Sequence, residues 1–358
     1  MGVLSRALGA LTRSGGSTKA PYSYPLDRTN DRTFPDDWSG RIYVWDIDKT
    51  YLATEIHSLS ALLAVPFEFA IDKRNVAGTG ALLRALRRGR VDFGLTAVNP
   101  IYFVSASPPQ LRRVIQRKML IDGVEFDGIS FKDQVHLVTR GQFGKLREQI
   151  GYKVSALLLN RRELPWTCSE TLFGDDSESD ALIYSIYGDI IAGRMRGDAL
   201  IKTLLKHQVR REDALYIAGL ADGLPERDLV DGIYINLEVR KDPNRFEGFS
   251  PIVVPSHDAF QAALRLFEDG HIGIEGVASV AEQLVVTLQR RPPSLLRSAA
   301  DMVSRAAVSI ETVASLWTTL QRRGLAPDYF VVDASHATPP ARKHREPGEF
   351  FTPVRLRG

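Results

Sequence analysis

The chain has 358 residues, 44% of them apolar and 25% charged, with a net charge of +3, which is the make-up of an ordinary globular protein of one large domain or two. So small an excess of charge argues against a nucleic-acid partner, and the single cysteine, Cys168, excludes a disulfide framework and a thiolate zinc cluster. No apolar stretch is long enough to span a bilayer and no secretory signal is visible, so a cytoplasmic location is expected.

Residues 1–40 are rich in Gly, Ser and Pro and read as an irregular arm. Within it Leu4, Leu8 and Leu11 stand at helical spacing beside Arg6 and Arg13, which allows weak peripheral contact with an anionic membrane. A solvated arm is the preferred reading. The run from Arg41 to Asp46 is β-branched and aromatic and predicts the first strand. After a break at Pro66 and Phe67, a helix opens past Gly78 with Leu82, Leu83 and Leu86 on one face.

NPIYFVSASPPQLRRVIQRKML reads as strand, tight turn and helix, with Pro108 and Pro109 in the first helical turn. FDGISF is a third strand, and the stretch from Phe143 to Asn160 is helical. CSETLFGDDSESD predicts a strand emptying into an acidic loop, DALIYSIYGDII a helix, and the run at about 232–239 a fifth strand. Strand and helix in alternation predict an α/β fold with a parallel sheet of about five strands and helices on both faces. Helices at about 258–269 and 274–289, and a further pair between 294 and 323, predict a helical C-terminal appendage. The implied organisation is an arm (1–40), a catalytic domain (41–255) with an insertion near 194–230, a helical region (256–336) and a basic, Pro-rich tail (337–358).

Chemistry concentrates where three strands end: Asp46 to Thr50, Ser105 to Ser107, and Asp175 to Asp180. Alternation sends Asp46 and Asp48 to the same side of the chain, and two carboxylates so close are costly without a cation or a shared proton. A divalent metal is the simplest remedy. A phosphoryl group held in line makes attack by Asp46 feasible, with Asp48 placed to protonate the leaving oxygen and then to activate water. The Ser105 hydroxyl and nearby amides suit phosphate oxygens. Asp175 and Asp176 are hard oxygen donors that suit magnesium. A lysine completes the set by balancing charge, and Lys153 is preferred over Lys145 for that role.

DIDKT, VSASP, Tyr152–Lys153 and FGDDSESD come in the order of the four motifs of the haloacid dehalogenase superfamily. The wider phrases NPIYFVSASPPQL and LFGDDSESDALIYSIY resemble the catalytic domain of the actin-patch phosphatidate phosphatases, which is related to the lipins. The likeness runs from about residue 40 to 240. It implies a haloacid dehalogenase-like fold and a phosphatase acting through an aspartyl-phosphate, with Asp46 as nucleophile and Asp48 as acid and base. It also implies Thr50 as stabiliser of the turn, Ser105, Ala106, Ser107 and Lys153 around the phosphate, and Mg2+ held by Asp46, Asp175 and the backbone carbonyl of Asp48. Asp176 or Asp180 would assist the metal from behind. Lys132 is placed either to touch substrate or as a surface lysine. The implied substrate is phosphatidate or another lipid phosphate. A small soluble phosphomonoester, or a non-catalytic module that binds lipid or protein, is the alternative. Lys49 and the 194–230 insertion depart from the family pattern.

Rival readings are weaker. His57, His136, His207, His257 and His271 lack ligand spacing, and no GKT or GKS loop exists for a nucleotide-hydrolysing site. Ser105 and Ser107 lack the glycine elbow of a serine hydrolase. Turns and N-caps explain any one acidic loop, but not acid doublets closing two separate strands.

Overall fold

A computed structural model describes residues 24, 26–35, 37–53, 75–90, 98–132, 145–177, 179–238, 242–246, 248–249, 252–289 and 291–328. Expectations for Leu4 to Arg13, Pro66 and Phe67, His57, His136, the Lys145 side chain and the tail from 337 lie outside these residues.

Seven strands form one mixed sheet: β1 (Leu26–Asn30), β2 (Arg41–Asp46), β3 (Ile101–Ser105), β4 (Gly128–Lys132), β5 (Ser169–Asp175), β6 (Val230–Asn236) and β7 (Val253–Ser256). Their order is β1-β4-β3-β2-β5-β6-β7, and all neighbours are parallel except β1 with β4. The α/β expectation holds, but the count of five strands was two short. Leu26–Asn30 is half-buried at every position and so carries no alternation to read, which also corrects the wholly irregular arm. Val253–Ser256 is four residues long and contains Pro255, tolerated because β7 is an edge.

The helices are α1 (Thr79–Arg88), α2 (Arg112–Ile121), α3 (Lys145–Arg162), α4 (Asp180–Ile191), α5 (Gly197–Lys206), α6 (Arg211–Asp222), α7 (Ala259–Glu268), α8 (Ile274–Leu288), α9 (Pro292–Ser304) and α10 (Ile310–Arg322). Alternation along each strand splits the core in two. Tyr43, Trp45, Phe103, Phe131, Phe173 and Tyr234 join one cluster with α1, α2 and α7–α10. Ile42, Val44, Val104, Leu172, Ile233 and Ile235 join the other with α3–α6. The C-terminal helices are therefore no appendage: together with α1 and α2 they cover one face of the sheet. Their burial is what lets the central strands be apolar on both sides. The 194–230 stretch likewise packs on the opposite face, with α6 against α3. Among the described residues no helix is long and apolar enough to cross a membrane.

From β2 the chain proceeds to β3 and β4 on one side, and from β5 to β6 and β7 on the other. The strand order thus reverses between β2 and β5, where open parallel sheets bind ligands beyond the strands' carboxyl ends. Register there is fixed by an aromatic row across three strands. Trp45 stacks on Phe173 at 4.1 Å between centroids, and Phe173 on Tyr234 at 5.0 Å. Asp46 follows Trp45 directly and Asp175 follows Phe173 by two residues, so pairing Trp45 with Phe173 brings both carboxylates to one edge.

Candidate metal centre

Asp46, Asp175 and Asp180 are fully buried, and each offers a carboxylate oxygen within 4.8 Å of the others. Such a group of hard oxygen donors can hold a metal ion. Asp46 closes β2, Asp175 closes β5, and Asp180 occupies the first turn of α4, where the helix dipole favours an anion.

Lys153, on α3, has no exposed surface and reaches the same point from below the sheet edge. Its Nζ lies 2.8 Å from Asp46 Oδ1 and 2.5 Å from Asp180 Oδ1. Asp180 Oδ2 in turn accepts from the Asp175 amide at 3.2 Å. Asp175 Oδ1 accepts from the Ser177 amide at 2.5 Å, in the turn that ends β5. Three buried carboxylates brought this close repel one another, which favours a cation there.

Asp48 sits apart from this group. Beyond β2 the chain makes a tight turn in which the Tyr51 and Leu52 amides both reach the Ile47 carbonyl, at 3.0 and 2.9 Å. Lys49 takes φ 59°, a left-handed conformation that an L side chain rarely adopts. Asn236 at the end of β6 holds that turn, its Nδ2 donating to the Lys49 carbonyl at 3.2 Å. Asp48 Oδ2 then accepts from Ser107 Oγ at 3.0 Å and from Ser105 Oγ at 3.4 Å. Ser105 Oγ also receives the Ser107 amide at 3.1 Å. Thr50 Oγ1 lies 3.5 Å from Asp46 Oδ2.

Two buried phenols hold the frame. Tyr152 donates to the carbonyls of Ser105 (2.5 Å) and Ser130 (3.1 Å), which ties β3 to β4 and both to α3. Tyr184 donates to the Phe173 carbonyl at 3.1 Å. Burial pushes both phenols well above the usual tyrosine range, with the Asp180 charge adding to it at Tyr184. Both therefore stay protonated as donors.

Against protein-family models, curated proteins and solved structures alike, no match to this chain was found.

The predicted residues gather at one edge with a difference among the acids. Asp176 is not part of the carboxylate group, and Asp180, expected behind the metal, is. The Asp48 carboxylate, expected as acid and base, stands outside the group. Asp176 is drawn toward β6: its amide donates to the Asn236 carbonyl at 3.0 Å, and its Oδ1 accepts from the Glu238 amide at 2.9 Å. Lys132 is buried at the end of β4, which removes the surface-lysine alternative, and its amide donates to the Ser107 carbonyl at 3.2 Å. Pro108 and Pro109 lead into a 3-10 turn (Pro109–Leu111) ahead of α2, so the first turn beyond Ser107 is not α-helical. Ala106 is half-buried between the two serines.

Three contributors escaped the sequence reading: Tyr152 as a tie, Asn236, and Gly174. A Cβ on Gly174 would stand 2.4 Å from Asp180 Oδ2 and 2.5 Å from its Cβ, so only glycine lets Asp180 close on the strand. A glycine inside a strand was the available signal. Among the described residues no histidine joins the carboxylates. His271 is buried elsewhere, 3.2 Å from the Tyr43 hydroxyl. Cys168 is buried too, and its burial pushes the thiol up, which keeps it protonated.

Proposed function

We propose that the chain is a magnesium-dependent phosphatase of the haloacid dehalogenase superfamily, acting through an aspartyl-phosphate on phosphatidate or another lipid phosphate. The observation that carries this reading is the grouping of Asp46, Asp175 and Asp180 around Lys153, with Asp48, two residues past Asp46, held by two serine hydroxyls. The strand order 4-3-2-5-6 around β2 agrees with the fold that the motifs imply. The lipid part rests on the likeness of the longer motif phrases to phosphatidate phosphatases.

Asp46, Asp175 and Asp180 would hold the magnesium, a fit supported by their all-carboxylate donor set. When bound, the ion supplies positive charge that offsets both the carboxylates and the phosphate oxygens. Asp46 attacks phosphorus, an oxygen–phosphorus bond forms, and the bond to the alcohol oxygen breaks as Asp48 delivers a proton to that oxygen. Asp48 next takes a proton from water, whose oxygen attacks the phosphoryl group and frees Asp46 and inorganic phosphate. Lys153 keeps Asp46 and Asp180 in place and balances their charge. Ser105 and Ser107 hold Asp48 toward the leaving oxygen.

The test is phosphate release with and without magnesium from vesicle-borne phosphatidate, glycerol phosphate, sugar phosphates and nucleotides, for the wild type and Asp46→Asn. Magnesium-dependent release from the vesicles, lost in Asp46→Asn, is expected. Release from soluble esters alone would move the substrate to small phosphomonoesters. Equal release by both proteins, or none by the wild type, would overturn the enzyme reading and leave the binding module.

A further inference from the structure

A second concave site lies between α1 and the start of α8, and none of the grouped carboxylates lines it. It is a cavity of about 530 Å³, within the range of small-molecule sites. Its depth follows from glycine. Gly276 brings α8 against α1 so closely that a Cβ there would lie 2.9 Å from that of Ala85, whereas a Cβ on Gly273 would meet open space. The helices touch at Gly276 and part toward Gly273.

The walls have two characters. Phe267, Ile274 and the alanines of α1 give an apolar floor, and Arg84, Arg88 and Arg90 give a cationic rim. Arg84 and Arg88 are one helical turn apart and so share a face, where like charges repel. Their neighbour Arg87 turns the other way, to Asp127 and Glu125. Among the described residues Arg84 donates to a neutral group, the Asp122 carbonyl at 2.6 Å. Among the described residues neither Arg84 nor Arg88 forms an ion pair. The carboxylate of Asp122 is taken by Lys118, Tyr51 and Asn75. Glu275, the acidic group on the cavity wall, is held by Arg323. Cations above an apolar floor match one kind of ligand, an anionic head on an apolar body.

We propose that this cleft binds an organic anion with an apolar body, at a site separate from the carboxylate centre. None of that centre's carboxylates lines it, and the inference does not rest on the phosphatase reading.

Binding of octyl sulfate to the full chain, measured by isothermal titration in a chelator so that the carboxylates repel anions, tests it. Inorganic sulfate serves as the head alone and octyl glucoside as a neutral amphiphile. Arg84→Gln/Arg88→Gln removes charge. Gly273→Leu fills the mouth without changing charge, at an extended backbone (φ −87°, ψ 172°) that any residue adopts. Saturable one-to-one binding of octyl sulfate is expected, weakened by about tenfold or more in both variants, with both control ligands weaker by a similar factor. Absence of saturable binding by the wild type, or equal binding by wild type and both variants, overturns the site. Equal affinity for inorganic sulfate overturns the apolar body, and equal affinity for octyl glucoside overturns the role of the arginines. Asp46→Asn should bind octyl sulfate like the wild type. Tighter binding there would place the anion at the carboxylates instead, because the variant repels it less.

Discussion

Lys153 Nζ bridges Asp46 and Asp180, at 2.8 and 2.5 Å, with no part of the three side chains in contact with more than a trace of solvent. A cation so placed holds two anions together that would otherwise repel in a low-dielectric interior. Replacing it by an apolar side chain of similar length leaves the carboxylates uncompensated.

Lys153→Met is therefore expected to lower stability by about 3–5 kcal/mol in metal-free buffer. Because a divalent ion can take over the lost charge, magnesium should raise the melting temperature of the variant more than that of the wild type. Thermal unfolding of both proteins in chelator and in excess magnesium decides the point. A smaller magnesium response in the variant would mean that the three carboxylates do not share a cation.

Gly174→Ala tests the close approach of β5 to α4. The added methyl has no room beside Asp180, with contacts of 2.4 and 2.5 Å to it. Overpacking of this kind costs about 1–3 kcal/mol, and any relief must displace Asp180 from Asp46 and Asp175. Metal affinity, measured by titration with Mn2+ or Mg2+, should fall with it. Gly188→Ala is the control, since its Cβ would meet Val230 at an ordinary 3.6 Å within α4. It should gain about 0.5–1 kcal/mol and bind metal like the wild type. Equal metal affinity in Gly174→Ala would remove Asp180 from the centre.

The contrast between those glycines marks what the sequence could and could not tell. Arg41–Asp46 was legible because β-branched and aromatic residues buried on both faces leave few other readings. Asp46, Asp48 and Ser105 followed from their position at strand ends. Leu26–Asn30 was not legible, because an edge strand buried evenly to half shows no period, and Val253–Ser256 is too short to show one. The helices from 259 to 322 were read as helices from their apolar stripes. That they roof the sheet depends on β7, whose parallel pairing with β6 swings the chain to the other face. The choice between Asp176 and Asp180 depends on the turn between β5 and α4, which faces one carboxyl toward Glu238 and the other toward Lys153.

Ser107 donates to Asp48 at 3.0 Å, and this bond, more than contact with phosphate, is its visible task. Under the proposed chemistry Ser107→Ala should lower kcat by about ten- to hundredfold, since a misaligned acid and base loses part of its contribution. KM should change little. In an Asp48→Asn background the same substitution should have almost no further effect, because the acid and base that it aligns is already gone. A double-mutant cycle on phosphate release reads both outcomes. Additive losses, or a loss confined to KM, would assign Ser107 to the substrate instead.

Asp231 offers a test that needs no activity. Burial raises its carboxyl above the ordinary value of 3.8, against hydrogen bonds from Thr171 and Ser169 that pull it down. Those hydroxyls lie at 2.6 and 2.9 Å, and Arg41 adds a weak ion pair at 4.0 Å. A carboxyl raised on folding binds its proton more tightly in the native state than in the unfolded one. Its contribution to stability is thus full below 3.8 and is lost as pH rises through the folded value. Asp231→Asn cannot ionise and keeps its contribution at every pH. The stability of the variant minus that of the wild type should therefore grow as pH rises above about 4 and level off once the wild-type carboxyl is fully charged. Urea unfolding of both proteins across that range measures it, and the other carboxylates cancel because both chains carry them. A difference that shrinks with rising pH would mean that the serine, threonine and arginine partners outweigh burial, and that the ionised carboxylate is the form the fold prefers.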